Sequence, residues 1–385
     1  MKRYAVVISL FVLLAASVCA FADITVGIDL STTGPMASVG IEFRNAALLG
    51  PSTIAGEKVR YIFLDNNSDP TTAVQNAKRL ISESNIDVLI GPPGSSLALA
   101  VLDPIAQAKV PTLCLASASA IVSPMDEKRK WMFKAVANDD VFVAAMVRHM
   151  ATVGVKTLSL IVSNDPYGES WANETNKIAP AKGIKVVRVE RFERTDNSTT
   201  PQALRIMGEK PDAVLIVAVG TPSVTPQRAL VEHGYKGKLY QSGGAVSEDF
   251  LRLGGKYVEG TYLVQSPAIV ATQLPNGYPT KKVAVDFLKL YQSKYGKSTY
   301  FGAQMWDELK LLEAAVPVAL KSARPGTLEF REALRSALEQ SKGVVGATAV
   351  FTMSPTDHTG INELGVSVIK VVNGTWKLEQ AAAFK

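Results

Sequence analysis

An alternation runs through this chain twice: short, mostly apolar segments of strand length, separated by amphipathic segments of helix length. Ile24–Leu30, 59–64, 87–90 and Thr112–Leu115 read as strands, and 41–49, 69–84 and 97–107 as the helices between them. Asp69-Pro70 opens the second helix with an N-cap side chain and a first-turn proline. Strands this apolar need cover on both faces, so the pattern specifies a parallel sheet between two helical layers. The pattern restarts with strands at 158–163, 184–192, 213–219, 239–242 and 261–265, and helices at 169–181, 200–207 and 227–232. Longer helical stretches follow at 281–294, 303–320 and 328–340. The end reads as a hairpin, 366–372 and 376–379, turning at Asn373-Gly374. The expected fold class is therefore α/β, with two doubly wound parallel-sheet lobes. Ligands of such sheets bind at the carboxyl ends of the strands, and a ligand held between two lobes is enclosed when they close.

The length of 385 residues agrees with two domains, and 47% apolar against 20% charged residues excludes disorder. The formal charge of +6 is spread along the chain with no basic run to track a phosphate backbone, so no nucleic-acid partner is expected. Lys2 and Arg3, an apolar run over 5–18 and small residues ending Cys19-Ala20-Phe21-Ala22 describe a secretory signal peptide over residues 1–22. Cleavage after Ala22 is expected, with Ala20 as the alternative. Ala16-Ser17-Val18 before Cys19 makes a poor lipid-attachment signal. The mature chain is expected in the periplasm with a charge of +4. Its one remaining cysteine, Cys114, has no partner for a disulfide and reads as a buried, inert thiol.

Sites of covalent chemistry are hard to find. The three histidines, His149, His233 and His358, lack metal-ligand spacing, and there is no G-x-S-x-G elbow, P-loop or G-x-G-x-x-G. Gly91-Pro92-Pro93-Gly94-Ser95 follows a strand but lacks the lysine of a phosphate loop. The expectation is a binding protein with no enzymatic activity, no cofactor and no metal.

Several loops together resemble the type I periplasmic solute-binding proteins, in particular the Leu/Ile/Val-binding family of ABC importers. They are Leu30-Ser31-Thr32-Thr33-Gly34-Pro35, Ile90-Gly91 with Ser95-Ser96, residues 116–120, Asp165-Pro166-Tyr167-Gly168, Val258-Glu259-Gly260 and Trp306-Asp307. The resemblance covers the whole mature chain in order. It implies a hinge of three crossovers near residues 138, 267 and 354, with lobe 1 as 23–137 plus 267–354 and lobe 2 as 138–266 plus 355–385. It also implies a monomer that captures a small molecule and delivers it to a membrane ABC permease. The match puts Ser95, Ser117 and Ser119 on a ligand carboxylate. Ser38 and Val39 fall on a loop that reaches the ligand, Tyr167 on a closing second-lobe aromatic, and Phe301 on an apolar wall. Independently of the family, Gly94-Ser95-Ser96 precedes a helix whose amides and cap hydroxyls suit an anion.

The departures from the family bear on the ligand. Relatives that bind α-amino acids pair the ammonium with a second-lobe carboxylate; that position here is Gly243, followed by Gly244. A second-lobe tyrosine is likewise replaced by Val219 or Gly220. A buried ammonium left unpaired costs about 3–5 kcal/mol, roughly a hundred- to several-thousand-fold in affinity. A nearby acid such as Glu248 or Asp249 is the alternative source of charge. The missing side chains also imply a roomier pocket, and a loop such as Met36-Ala37-Ser38-Val39-Gly40-Ile41 resembles the branch that binds aromatic acids of benzoate, phenylacetate or hydroxycinnamate type. The expected ligand is a bulky monocarboxylate; the alternatives are a branched-chain or other amino acid, and a periplasmic sensor module in place of a transport component.

Overall fold

The computed structural model describes residues 23–298, 300–362 and 365–381; the signal peptide expected over residues 1–22 lies outside them. Strands β1 (Ile24–Leu30), β2 (Thr53–Ile54), β3 (Glu57–Asp65), β4 (Val88–Pro93), β5 (Thr112–Leu115) and β6 (Met132–Phe133) make one sheet in the order β2-β3-β1-β4-β5-β6. It is parallel except for the short edge strand β2. All seven residues of β1 are buried, as its apolar run requires of a central strand covered on both faces.

A second sheet holds β7 (Thr157–Ser163), β8 (Lys185–Phe192), β9 (Ala213–Val217), β10 (Lys238–Gln241) and β11 (Tyr262–Gln265), all parallel. The terminal hairpin β14 (Ser367–Val372) and β15 (Thr375–Gln380) adds antiparallel to β11, giving the order β15-β14-β11-β10-β9-β7-β8. Its turn residues Asn373 and Gly374 have φ of 52° and 64°, the left-handed pair that a two-residue hairpin turn demands. The small ribbon β12 (Val344–Val345) and β13 (Val350–Phe351) stands apart from both sheets.

Sequence order and packing part company after β11. The helices Lys281–Tyr295, Tyr300–Ala319 and Leu328–Glu339 return to the first sheet, where Tyr300–Ala319 lies along the helix Ala37–Ala47. Arg331 of the third helix donates to Asn85 Oδ1 at 2.6 Å and to the Ala108 carbonyl at 3.3 Å. The chain thus passes three times between the sheets, and the passages are fastened to one another. Lys134 N donates to the His358 carbonyl at 3.0 Å, beneath a Phe133–His358 ring stack with centroids 4.0 Å apart. Asp307 accepts from Ala347 N at 2.5 Å and Thr348 N at 2.7 Å, while Glu308 accepts from Ala135 N at 2.9 Å. Two adjacent acids on one helix therefore hold two of the passages.

The helices depart from the sequence reading in places, and Glu248–Gly254 is one that it did not include. The stretch expected as one helix over 97–107 is two, Ser95–Ala100 and Leu102–Ala108, broken at Val101 (φ −85°, ψ −3°). Pro104 has no N–H to give back to the preceding turn, so a continuous helix lacks a rung there. Asp139–Thr152 is a helix that the pattern did not reveal. Its Phe142, Val143, Met146, Val147 and Met150 are all buried, and so broad an apolar surface leaves little amphipathic signal.

Candidate functional site

A cavity lies in the cleft between the sheets, and every strand end that reaches it is a carboxyl end. From the first sheet, β4 ends in Pro93 and turns at Gly94 (φ 85°) into Ser95, while β5 leads to Ala116 and Ser117. A side chain at Gly94 would press on Met36, whose methyl lies 3.0 Å from the Cβ position. From the second sheet come Val219 after β9, Gly243 and Gly244 after β10, and Gln265 at the end of β11. Tyr167 and Trp171 lie on successive turns of the helix Pro166–Ile178, which Asp165 caps by accepting from Gly168 N at 2.9 Å. Val39 and Phe43, Val136 and Phe142, and Tyr300, Phe301 and Gln304 complete the lining. Phe301 stands edge-on to Phe43 with ring centroids 5.5 Å apart.

Among the described residues no charged side chain lines this cavity. Its polar groups are a few hydroxyls and amides. Ser95 is buried and its Oγ accepts from Ala118 N at 3.4 Å, which leaves the hydroxyl proton to point elsewhere. Tyr167 Oη accepts from Gly244 N at 3.3 Å, and burial holds its phenol neutral by raising the pKa. Lys134, fully buried, sits behind the Ser117 loop. Its Nζ donates to the carbonyls of Ser117 (2.8 Å) and Ala118 (3.3 Å) and to Asn138 Oδ1 (2.6 Å), and desolvation lowers its pKa to about 8. The loop after β5 is thereby tied to the first passage between the sheets.

A buried acid that sequence reading passed over lies one layer behind the lining. Asp139, fully buried at the start of the helix Asp139–Thr152, faces Ser117, Ser170 and Trp171, none of them in good hydrogen-bond geometry. Desolvation raises its pKa to about 6, held back by those neighbours and by Lys134.

Of the nine residues singled out from sequence, Val39, Ser95, Ser117, Tyr167, Gly243 and Phe301 line the cavity together. Ser119 and Ser38 do not, although the Oγ of each is buried and without a partner. Gly220 stands at the closing edge, where an added Cβ would lie 3.6 Å from Pro35 O and Ser38 Oγ across the cleft. Glu248 and Asp249 belong to a rim groove with Ser38 and Lys297, outside the main cavity; Asp249 pairs with Arg252 at 2.7 Å and Glu248 faces Lys297 at 3.6 Å. The expectation that Gly243 leaves extra room is corrected here. A Cβ there would sit 2.5 Å from Gln265 Nε2 and 2.8 Å from the Val264 carbonyl, because Gln265 folds over the glycine and donates to its carbonyl at 3.1 Å. Met36, Phe142, Trp171, Gln265, Tyr300 and Gln304 were also missed. A polar residue such as Gln304 within an otherwise apolar helix face is the one signal in the sequence, and only the fold shows where that face points.

Two α/β lobes facing each other across a cleft lined by strand carboxyl ends define a two-lobed ligand-binding protein of the periplasmic type. Residues 23–375 match the model of the family described as periplasmic binding protein, and the chain belongs to that family. It is similar to the crystal structure of an extracellular ligand-binding receptor from Rhodopseudomonas palustris HaA2, with 40% identity, a TM-score of 0.90, and 93% of this chain and 100% of that one covered. The Leu/Ile/Val-binding protein BraC3 of Rhizobium johnstonii is 24% identical over 352 residues, 89% of this chain and 90% of that one. The fold is shared with a solute-binding protein of an ABC transporter from Rhodopseudomonas palustris BisB5 in complex with 3,4-dihydroxy benzoic acid, at 19% identity and a TM-score of 0.78, over 94% of this chain and 97% of that one. These relatives are described as ligand- or solute-binding proteins. Among the described residues no helix is long and apolar enough to cross a membrane.

Proposed function

We propose that this chain captures a small aromatic monocarboxylate in the periplasm and presents it, in the closed form, to a membrane ABC permease. One observation carries the ligand class: aromatic walls surround a cavity with no charged lining residue among the described residues; the resemblance, which puts Gly243 at the position of the acid in amino-acid binders, agrees with it. Ser95 and Ser117, at the ends of β4 and β5, are assigned to the carboxylate, with Ser119 behind them. Tyr167, Phe301 and Val39 pack the ring, and Ser38 and Gly220 meet at the closing edge. The lobes, 23–137 with 267–354 and 138–266 with 355–385, are assigned to swing about passages near 138, 267 and 354, the protein acting as a monomer. The 3,4-dihydroxy benzoic acid bound by the BisB5 protein supports this reading at the level of fold.

A second reading, an aliphatic amino acid as ligand, is favoured by Asp139, whose buried carboxyl stands behind Ser117, and by the Leu/Ile/Val-binding relatives. Thermal melts of the mature, ligand-stripped protein with benzoate, phenylacetate, cinnamate, leucine, valine and phenylalanine separate the two. A ligand at a hundred times its Kd adds about 2.7 kcal/mol, a shift of several degrees. Shifts with the aromatic acids alone are expected; shifts with leucine or valine alone transfer the site to the second reading.

A further inference from the structure

Two glutamines line the cavity, and they are placed differently. Gln265 is satisfied at both ends: Nε2 donates to the Gly243 carbonyl at 3.1 Å and Oε1 accepts from Ser266 N at 2.7 Å. Gln304 is only 2% exposed, and its Nε2 has no hydrogen-bond partner among the described residues. A buried amide hydrogen left unpaired is disfavoured, and a methionine or leucine would fill the same space without one. The helix that carries Gln304 is otherwise apolar where it meets the cleft, with Tyr300 and Phe301 one turn before it. One turn after it, Asp307 and Glu308 clamp the passages between the sheets. Gln304 therefore stands in the cavity wall near the passages between the sheets, on a different element from the serines that follow β4 and β5.

We infer that Gln304 reads a second oxygen on the ligand, its amide nitrogen donating to an oxygen substituent on the aromatic ring while Ser95 and Ser117 hold the carboxylate. The inference rests on the aromatic-acid reading and narrows it to ring-oxygenated acids. Discrimination follows from the unpaired donor: a ligand without the ring oxygen leaves Nε2 buried and unsatisfied in the complex, whereas one with it closes the last open polar contact of that wall. Sites built to pair with a substrate polar group reject the analogue that lacks it far better than they reject a change in size.

The test is calorimetric titration of the mature wild-type protein and of Gln304→Met with benzoate, the three monohydroxybenzoates and leucine, with ligand-free melts of both proteins to establish folding. At least one hydroxybenzoate is expected to bind the wild type tenfold or more tighter than benzoate. In Gln304→Met that ratio is expected to fall to about twofold, with benzoate binding the variant no more weakly than the wild type because the unpaired donor is gone. A preference that survives in Gln304→Met and in Gln304→Leu overturns the role of Gln304 and leaves the aromatic-acid reading standing, since benzoates still bind. Absence of any hydroxybenzoate preference in the wild type does the same, and decides the matter alone should neither variant fold. Binding of leucine with no benzoate binding at all overturns the underlying reading and this inference with it.

Discussion

Ser95 Oγ accepts the Ala118 N–H, so its own proton is the part of the residue left for a ligand. Removing that hydroxyl in Ser95→Ala is expected to weaken carboxylate binding by about 1–3 kcal/mol, roughly five- to 150-fold, by titration calorimetry. Gly243 is held differently. The Cβ of any substitute meets Gln265 Nε2 and the Val264 carbonyl, so Gly243→Glu is expected to lower the melting temperature and to gain no leucine binding. Asp139 is expected to give the site a pH dependence. With its pKa raised to about 6 by burial, it is neutral below that value and negative above it, one layer behind the serines assigned to the ligand carboxylate. Affinity for benzoate is expected to fall as pH rises from 5 to 7.5, and Asp139→Asn is expected to flatten the curve. These three residues illustrate what the sequence could and could not convey. Ser95 was legible because a small polar residue follows a strand and starts a helix. Asp139 was not, because its importance comes from a helix whose apolar surface hid it and from neighbours distant in sequence.

The helix Tyr300–Ala319 does three jobs with one face: Phe301 walls the cavity, Gln304 adds an amide to that wall, and Asp307 and Glu308 hold the passages. Burial raises the Asp307 pKa to about 7 from 3.8 and lifts Glu308 as well, the hydrogen bonds offsetting only part of the desolvation. The native state therefore favours protonated Asp307, and its contribution to stability is complete below about pH 4 and lost as pH climbs through about 7. Urea denaturation from pH 4 to 8 is expected to show stability draining away over that window, with a shallower fall in Asp307→Asn. At this scale the strands and the hairpin could be read from their runs and from Asn373-Gly374. The break at Val101 and the helix after Asn138 could not, since one depends on a lost rung and the other on cover from all sides.

Across the whole molecule, the two sides of the cleft already touch. Arg194, paired with Asp165 through Nε at 2.6 Å, reaches over to Met36 Sδ at 3.6 Å, and Lys297 faces Glu248 at the other rim. Such contacts fit the closed form proposed above, and a ligand that fits it is expected to shift the population of lobes toward it. A fall in radius of gyration on adding ligand, measured by small-angle scattering, is the expected signature, and an unchanged radius would leave the hinge without a role. The alternation in the sequence announced two lobes. It did not announce the return of three helices to the first sheet, because their apolar faces carry no address.

Trp171 gives the closed cleft a natural optical reporter. It is the one tryptophan in the cavity wall, fully buried, with Phe142 stacked at 6.2 Å and Tyr167 edge-on at 6.0 Å. Trp131, Trp306 and Trp376 lie elsewhere, against Arg335, Phe287 and Phe250. An indole so enclosed emits toward the blue, and a ring drawn in beside it alters its quantum yield, so occupancy can be followed by the protein's own emission with no dye attached.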